Sequence, residues 1–197
     1  MNLDEHGAPD ATMTAIPRVV AARADGMTTI GIAIGVPEPW ATQIRTARES
    51  FGDPQANAIP THVTLIAPAE VPMQMLNSID AHLHAVAAKS MPIRIQLRGT
   101  ATFRPVSPVV FLSVVDGIAG CEKLEKAVRR GPLLRRRRFP YHPHVTLVHN
   151  MPEDVLDRAF EEYANYSAIF VADCITLYQQ ELDGVWHPIR DYRLSGS

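Results

Sequence analysis

Lysine is nearly missing from this chain of 197 residues: Lys89, Lys123 and Lys126 are all it has. None of them sits where a nucleotidylated nucleophile would, and no glycine-rich Walker loop occurs, which argues against an ATP-dependent ligase or kinase. Cysteine is equally scarce. Cys121 and Cys174 are the whole complement, and both fall in apolar periodic segments, which suits buried thiols in a reducing compartment better than a disulfide framework. No apolar run approaches the roughly 20 residues that span a bilayer, and the N-terminus lacks a basic-then-apolar secretory pattern, so the expectation is a cytoplasmic protein with no membrane segment. A formal charge of −2 makes the molecule as a whole no polycation. With 46% hydrophobic residues it still has the means to bury a substantial core.

One part of the basic charge is concentrated: Arg129, Arg130 and Arg135 through Arg138 crowd a short stretch. Such a cluster is as commonly a solvated face as an anion site, and its position has to decide.

Residues 1–26 mix acidic, proline, alanine and threonine residues without sustained periodicity and read as a mobile leader, and 27–197 as a single domain. Alternation of Ile30, Ile32, Ile34 and Val36 with Gly31, Ala33 and Gly35 predicts a strand with one small-residue face, against which something packs or binds closely. A helix is expected from Pro39 to Ser50, a short strand from His62 to Ile66, a second helix with the stripe Met75, Ile79, Leu83 and Val86, and a strand through Ile93, Ile95 and Leu97. The second half repeats the order. Val109–Val115 is a strand, Ile118, Cys121, Leu124 and Val128 form a helical stripe, His144–Val148 is a short strand and Glu153 to about Tyr166 a helix. Ile169–Tyr178 reads as one strand, and Asp183-Gly184 as a hairpin turn before a closing strand toward Leu194. Two α+β lobes related by a pseudo-twofold axis follow, with mainly antiparallel sheets flanked by helices.

The tetrapeptide His-Val-Thr-Leu occurs at His62–Leu65 and again at His144–Leu147, each time at the same place in the repeated plan. A lone strand histidine is ordinarily structural; the joint match of identity and context is what singles out this pair. Alternation on a strand points His62 and Thr64 the same way, about 7 Å apart, with Val63 and Leu65 toward the core, and treats His144 and Thr146 likewise. Two imidazoles and two hydroxyls then converge, provided that the short strands face each other. In-line displacement at phosphorus needs a base on the attacking side, an acid behind the leaving oxygen and donors for the non-bridging oxygens. Imidazole, with an unperturbed pKa near 6.5, suits both proton-transfer roles.

These residues resemble the two-histidine (2H) phosphoesterases, in particular the bacterial RNA-ligase-like and 2′,3′-cyclic phosphodiesterase branch. The resemblance runs from about Thr28 to Leu194. Its motifs are Thr61-His62-Val63-Thr64-Leu65-Ile66-Ala67-Pro68, then Phe139-Pro140-Tyr141-His142-Pro143-His144-Val145-Thr146-Leu147, and the hairpin Asp183-Gly184-Val185-Trp186. It implies a bilobal fold with a central groove, no metal or other cofactor, and ring opening of 2′,3′-cyclic phosphates on RNA ends or nucleotides; some members also join RNA ends through a 2′,5′ linkage. Catalysis would fall to His62, Thr64, His144 and Thr146, with the chain acting as a monomer on RNA or a cyclic nucleotide. The chain departs from many relatives at His149, where they carry arginine, and this bears on substrate identity.

Arg135–Arg138 immediately precede the second motif and so belong at the groove rim, with Arg138 the expected substrate contact. Phe103, Phe139, Tyr141 and Trp186 are candidates to stack a base, Phe103 and Tyr141 foremost, although each is more often a packing residue. Two rival readings remain: a metal site of His142, His144 and His149, which lacks a local carboxylate or cysteine to complete it, and a non-catalytic RNA-binding module on the same fold. Neither requires both His–Thr pairs to be intact.

Overall fold

The computed structural model describes residues 25–137 and 139–196. The expected leader therefore lies outside the described residues except for 25 and 26, and Arg138 lies outside them too. Eight strands and four α-helices follow the order read from the sequence: β1 (Met27–Gly35), α1 (Trp40–Ser50), β2 (His62–Pro72), α2 (Leu76–Ala87), β3 (Ile93–Thr102), β4 (Val109–Asp116), α3 (Ile118–Val128), β5 (His144–His149), α4 (Glu153–Glu162), β6 (Ser167–Ala172), β7 (Cys174–Gln180) and β8 (Trp186–Arg193).

All strands join one antiparallel sheet in the order β6-β3-β4-β5-β2-β1-β7-β8. It is two four-stranded halves, β5-β4-β3-β6 and β2-β1-β7-β8, sharing a border where a single pair, Val63 opposite Val145, bridges β2 and β5. So short a ladder lets the halves diverge on either side of it.

Each half is built from both repeats. The strand that ends the first repeat, β3, pairs with β4 and β6 in the second half of the sheet, whereas β7 returns to β1. The helices cross over in the same way: α1 packs on β5 and α3 on β2. The two lobes thus share one continuous core, in which Val63, Leu65, Val145 and Leu147 of the motif strands are at most 1% exposed. This is the inward half of the alternation, and burying each such side chain stabilises the fold by roughly 1.5–3 kcal/mol.

One expected element divides. The run expected as a single strand from Ile169 to Tyr178 is two strands, β6 and β7, on different halves of the sheet. Along β6 burial alternates so that Ala168, Phe170 and Ala172 point inward, while Ile169 and Val171 face out; continued, that phase would expose Ile175, which is fully buried instead. Asp173 absorbs the one-residue slip, and its carbonyl accepts from the Leu194 backbone N–H at 2.7 Å. With neither glycine nor proline at the break, nothing punctuates it in the sequence. The last helix also stops at Glu162, short of Tyr166, and Tyr163 turns its ring edge-on to Phe51.

The small face of β1 acquires its reason here. An added Cβ on Gly31 would lie 3.1 Å from Trp186 Cζ3, so the indole rests against bare backbone. The Asp183-Gly184 turn that delivers Trp186 is closed by Gly184 N–H to Glu181 O, with Gly184 in the left-handed region at φ 87°, where glycine carries no Cβ penalty. Both cysteines are free thiols, Cys121 buried and Cys174 partly exposed. Among the described residues no helix is long and apolar enough to cross a membrane.

Candidate active site

Antiparallel pairing of Val63 with Val145 sets His62 opposite Thr146 and Thr64 opposite His144, all on the face away from the core, because side chains on either side of a strand residue share the other face. The two short strands are neighbours rather than facing walls. All four side chains are half-buried.

The histidines are held alike. His62 Nδ1 lies 2.6 Å from Pro60 O, and His144 Nδ1 lies 2.8 Å from His142 O. A carbonyl can only accept, so each Nδ1 carries the proton and each neutral ring presents the lone pair of Nε2. On His62 that atom lies 3.0 Å from the Thr64 hydroxyl, which donates to it. Burial drives both rings toward the neutral form: it is the largest influence lowering His62, with the Pro60 hydrogen bond opposing and the Arg48 charge assisting. His144 falls to about 4, again chiefly through burial, against the His142 hydrogen bond and with the charges of His142 and His62 adding. Desolvation penalises the charged imidazole.

The surroundings differ between halves. Beside His62 the neighbouring strand offers Gly35 and Ala33 as cross-strand partners of His62 and Thr64. The small residues Ala33 and Gly31 floor a cleft of about 270 Å³, lined by His62, Thr64 and Thr146 together with Ile66, Pro68, His149, Tyr178 and Trp186. Beside His144 the corresponding partners are Ser113 and Phe111. Phe111 and Phe103 fill that side, their ring centres 4.9 and 5.0 Å from that of His144, and the His142 ring stacks at 6.2 Å.

Of the expected substrate contacts, Phe103 is therefore beside the second histidine. Tyr141 is not among the residues lining the cleft: its ring packs on the core, and its hydroxyl is buried with no hydrogen-bond partner among the described residues. Burial foremost, with Cys121, Glu125 and Glu122 adding, raises its pKa well above the usual range for a phenol. Tyr141, expected as a base-stacking residue, thus lies away from the cleft, against the core. Trp186 lines the cleft; Phe139 is exposed.

The arginine stretch is also partly reassigned. Glu125, fully buried on α3, accepts from Arg137 Nε at 3.0 Å and Nη2, and from Arg129 Nε. Arg135 donates to the Glu70 carbonyl on β2. Arg137 thus ties the segment before the second motif to α3, where it and Arg129 supply the countercharge that a buried carboxylate needs, and Arg135 ties the same segment to β2. Arg136 is exposed.

Arg48 is the residue that sequence reasoning missed. It lies on the buried face of α1 with Ile44 and Ala47 and borders a second, polar cavity of about 90 Å³ together with His62, Thr61, Thr146 and His149. The signal was available: a charged residue on an apolar helical stripe needs a buried partner. Among the described residues no group of three or more His, Cys, Asp or Glu side chains is arranged to hold a metal ion, His142, His144 and His149 included.

A duplicated antiparallel sheet flanked by helices, carrying a His–Thr pair on each of two adjoining strands, is the architecture of a 2H phosphoesterase. The chain belongs to the 2′-5′ RNA ligase superfamily, whose family model matches residues 36–184. A Bacillus cereus protein assigned by name to the phosphoesterases is 27% identical over 146 residues, 72% of this chain and 83% of that one. A similarly named Bacillus cytotoxicus protein is 28% identical over 110 residues, 54% of this chain and 63%, less than two thirds, of its relative. Among solved structures, one described as a phosphoesterase superposes with a TM-score of 0.61 at 17% identity, covering 85% of this chain and 98% of the other. LigT of E. coli complexed with NADP+ gives 0.59 at 20%, covering 86% and 99%. At such identities the structural likeness establishes the fold.

Proposed function

We propose that this protein is a metal-independent phosphoesterase that opens 2′,3′-cyclic phosphates of RNA ends or nucleotides, with His62 and His144 as paired acid and base. The observation that carries this reading is the matched hold on two imidazoles, each set by an Nδ1–H bond to a carbonyl two residues earlier, on neighbouring strands, with His62, Thr64 and Thr146 lining one cleft. A cyclic phosphate seated between them meets a lone pair on one side, able to take the proton of an attacking water, and an imidazolium on the other, able to protonate the leaving ribose oxygen. Thr146, and Thr64 once its hydroxyl turns from His62 Nε2 to the substrate, donate to the non-bridging oxygens, where charge develops in the transition state. With a 5′-hydroxyl in place of the water the same ring opening is 2′-5′ ligation, and the roles of the two histidines exchange when either reaction runs backwards.

Both rings are neutral in the free protein, burial having lowered them. A bound phosphate supplies the negative charge that lets one of them hold a proton. The cleft beside His62, between Trp186 and Pro68, suits a nucleobase and ribose, and LigT has been crystallised with 3′-AMP and with ATP. We read the chain as acting in the cytoplasm as a monomer.

Incubation with 2′,3′-cyclic nucleotides, cyclic-phosphate-ended RNA and 2′,5′-linked oligonucleotides, with the product isomer identified, tests the proposal. Turnover of the cyclic phosphates is expected. Tight binding of every substrate with no turnover would favour a non-catalytic RNA- or nucleotide-binding module.

A further inference from the structure

Arg48 is a charged residue where α1 should be apolar, and all three of its guanidinium nitrogens are engaged. Nε donates to Asp53 Oδ2 at 2.9 Å, Nη1 to the Ile59 carbonyl at 3.0 Å and Nη2 to the Gln55 carbonyl at 3.1 Å. Its side chain is 6% exposed and that of Asp53 3%. Asp53 spends its other oxygen on the Gln55 backbone N–H. One cation therefore organises the whole loop from Asp53 to Ile59, and the next residue is Pro60, whose carbonyl holds the His62 ring.

Charge follows the same geometry. The small polar cavity beside His62 is bordered by Arg48 and not by Asp53, so the imidazole meets the guanidinium rather than the carboxylate of the pair. Other titratable groups around it are His144 and His149 on β5 and Tyr178 on β7, the last two across the larger cleft. The charges acting on His144 are those of His142 and His62, both of which can shed their protons. Among the described residues, only the His62 side faces a permanent cation.

We propose that Arg48 is a positioning residue for His62: it fixes the carbonyl that orients the ring, and its permanent charge makes His62 the histidine that enters the reaction neutral, as the base. His144 is then the ring that takes up a proton when an anionic phosphate binds. The sense of the electrostatic effect agrees with the lowering of His62 by Arg48. This inference rests on the two-histidine reading of the site and adds a direction to it.

The test pairs kinetics with titration on the full chain. With 2′,3′-cyclic AMP as probe, Arg48→Met is expected to lower kcat by at least about 10-fold, with a much smaller change in KM. Because a nearby like charge disfavours the imidazolium, its removal raises the pKa of His62, and the acidic limb of the kcat/KM–pH profile moves up by about one unit. Arg48→Lys keeps the charge and should leave that limb in place while losing part of kcat. NMR titration of the His62 ring without substrate should show the same upward shift in Arg48→Met. If no cyclic phosphate is turned over, the proposed function fails, yet this ring titration still reports on Arg48. A folded Arg48→Met with an unmoved His62 titration and wild-type kcat overturns the proposal. Should Arg48→Met fail to fold, Asp53→Asn decides: stripping the carboxylate leaves the cation uncompensated and must lower the His62 titration, and an unmoved value overturns the electrostatic role.

Discussion

His62 and His144 hold the same hydrogen bond at the same offset: Nδ1–H of each reaches the carbonyl two residues upstream, Pro60 at 2.6 Å and His142 at 2.8 Å. Both rings are thereby held as the tautomer whose Nε2 carries the lone pair, engaged on His62 by the Thr64 hydroxyl, and the first expectations concern them.

His62→Ala and His144→Ala should each lower kcat on a cyclic phosphate by at least about 100-fold, the low end for loss of a general acid or base. The double variant should be little worse than either single one, since groups acting in one concerted transfer are not additive. Thr64→Val and Thr146→Val should cost about 10- to 1000-fold through loss of a donor to the phosphoryl oxygens. Steady-state kinetics on folded variants checks all five. A dispensable histidine would return that residue to a structural role.

Stability should fall on mild acidification. His144 has a folded-state pKa of about 4 against an ordinary 6.5, and His62 shifts in the same direction. Between those values the unfolded chain binds more protons than the folded one, so stability rises with pH across the window and is lost as pH falls from about 6.5 toward about 4. Denaturant melts at a series of pH values measure the slope, and His144→Phe should flatten it.

Activity should survive EDTA, and added divalent ions should not be required, because two imidazoles and two hydroxyls already provide acid, base and oxyanion donors. Activity that vanished on chelation and returned with a metal would sink this mechanism.

Trp186→Ala should raise KM for cyclic mononucleotides by roughly 5- to 150-fold, the equivalent of about 1–3 kcal/mol of base stacking. The effect on a phosphodiester without a base should be small. Gly31→Ala should act in the same direction, because its Cβ would crowd Trp186 at 3.1 Å.

Glu125→Ala should destabilise the fold by roughly 1.5–3 kcal/mol, the loss of hydrogen bonds to a charged group whose arginine partners keep contact with water. Thermal or urea melts give the number. Arg136→Ala should leave stability alone, since that side chain is exposed. If it weakens binding of longer RNA and flattens the salt dependence, the basic segment tracks phosphates as well as bracing the fold.

Much of this architecture was legible in the residues alone. Period-two and period-3.6 patterns placed nearly every element, because they record which face of each segment is withdrawn from water. The repeated His-Val-Thr-Leu fixed which side chains share a face with each histidine, for the same reason. Period says nothing, however, about which strand lies alongside. Backbone hydrogen bonds are the same whatever the side chain, so the exchange of β3 and β7 between halves, the contact of β2 with β5 through one residue pair and the slip at Asp173 were decided by packing of the whole chain. The partners of isolated charges were decided there too. Arg48 finds Asp53, and Arg129 and Arg137 find Glu125, because a charge leaves water only where the assembled fold supplies its opposite. Local pattern thus chose the reactive groups, while the tertiary structure chose their neighbours: small residues and Trp186 beside one histidine, phenyl rings beside the other.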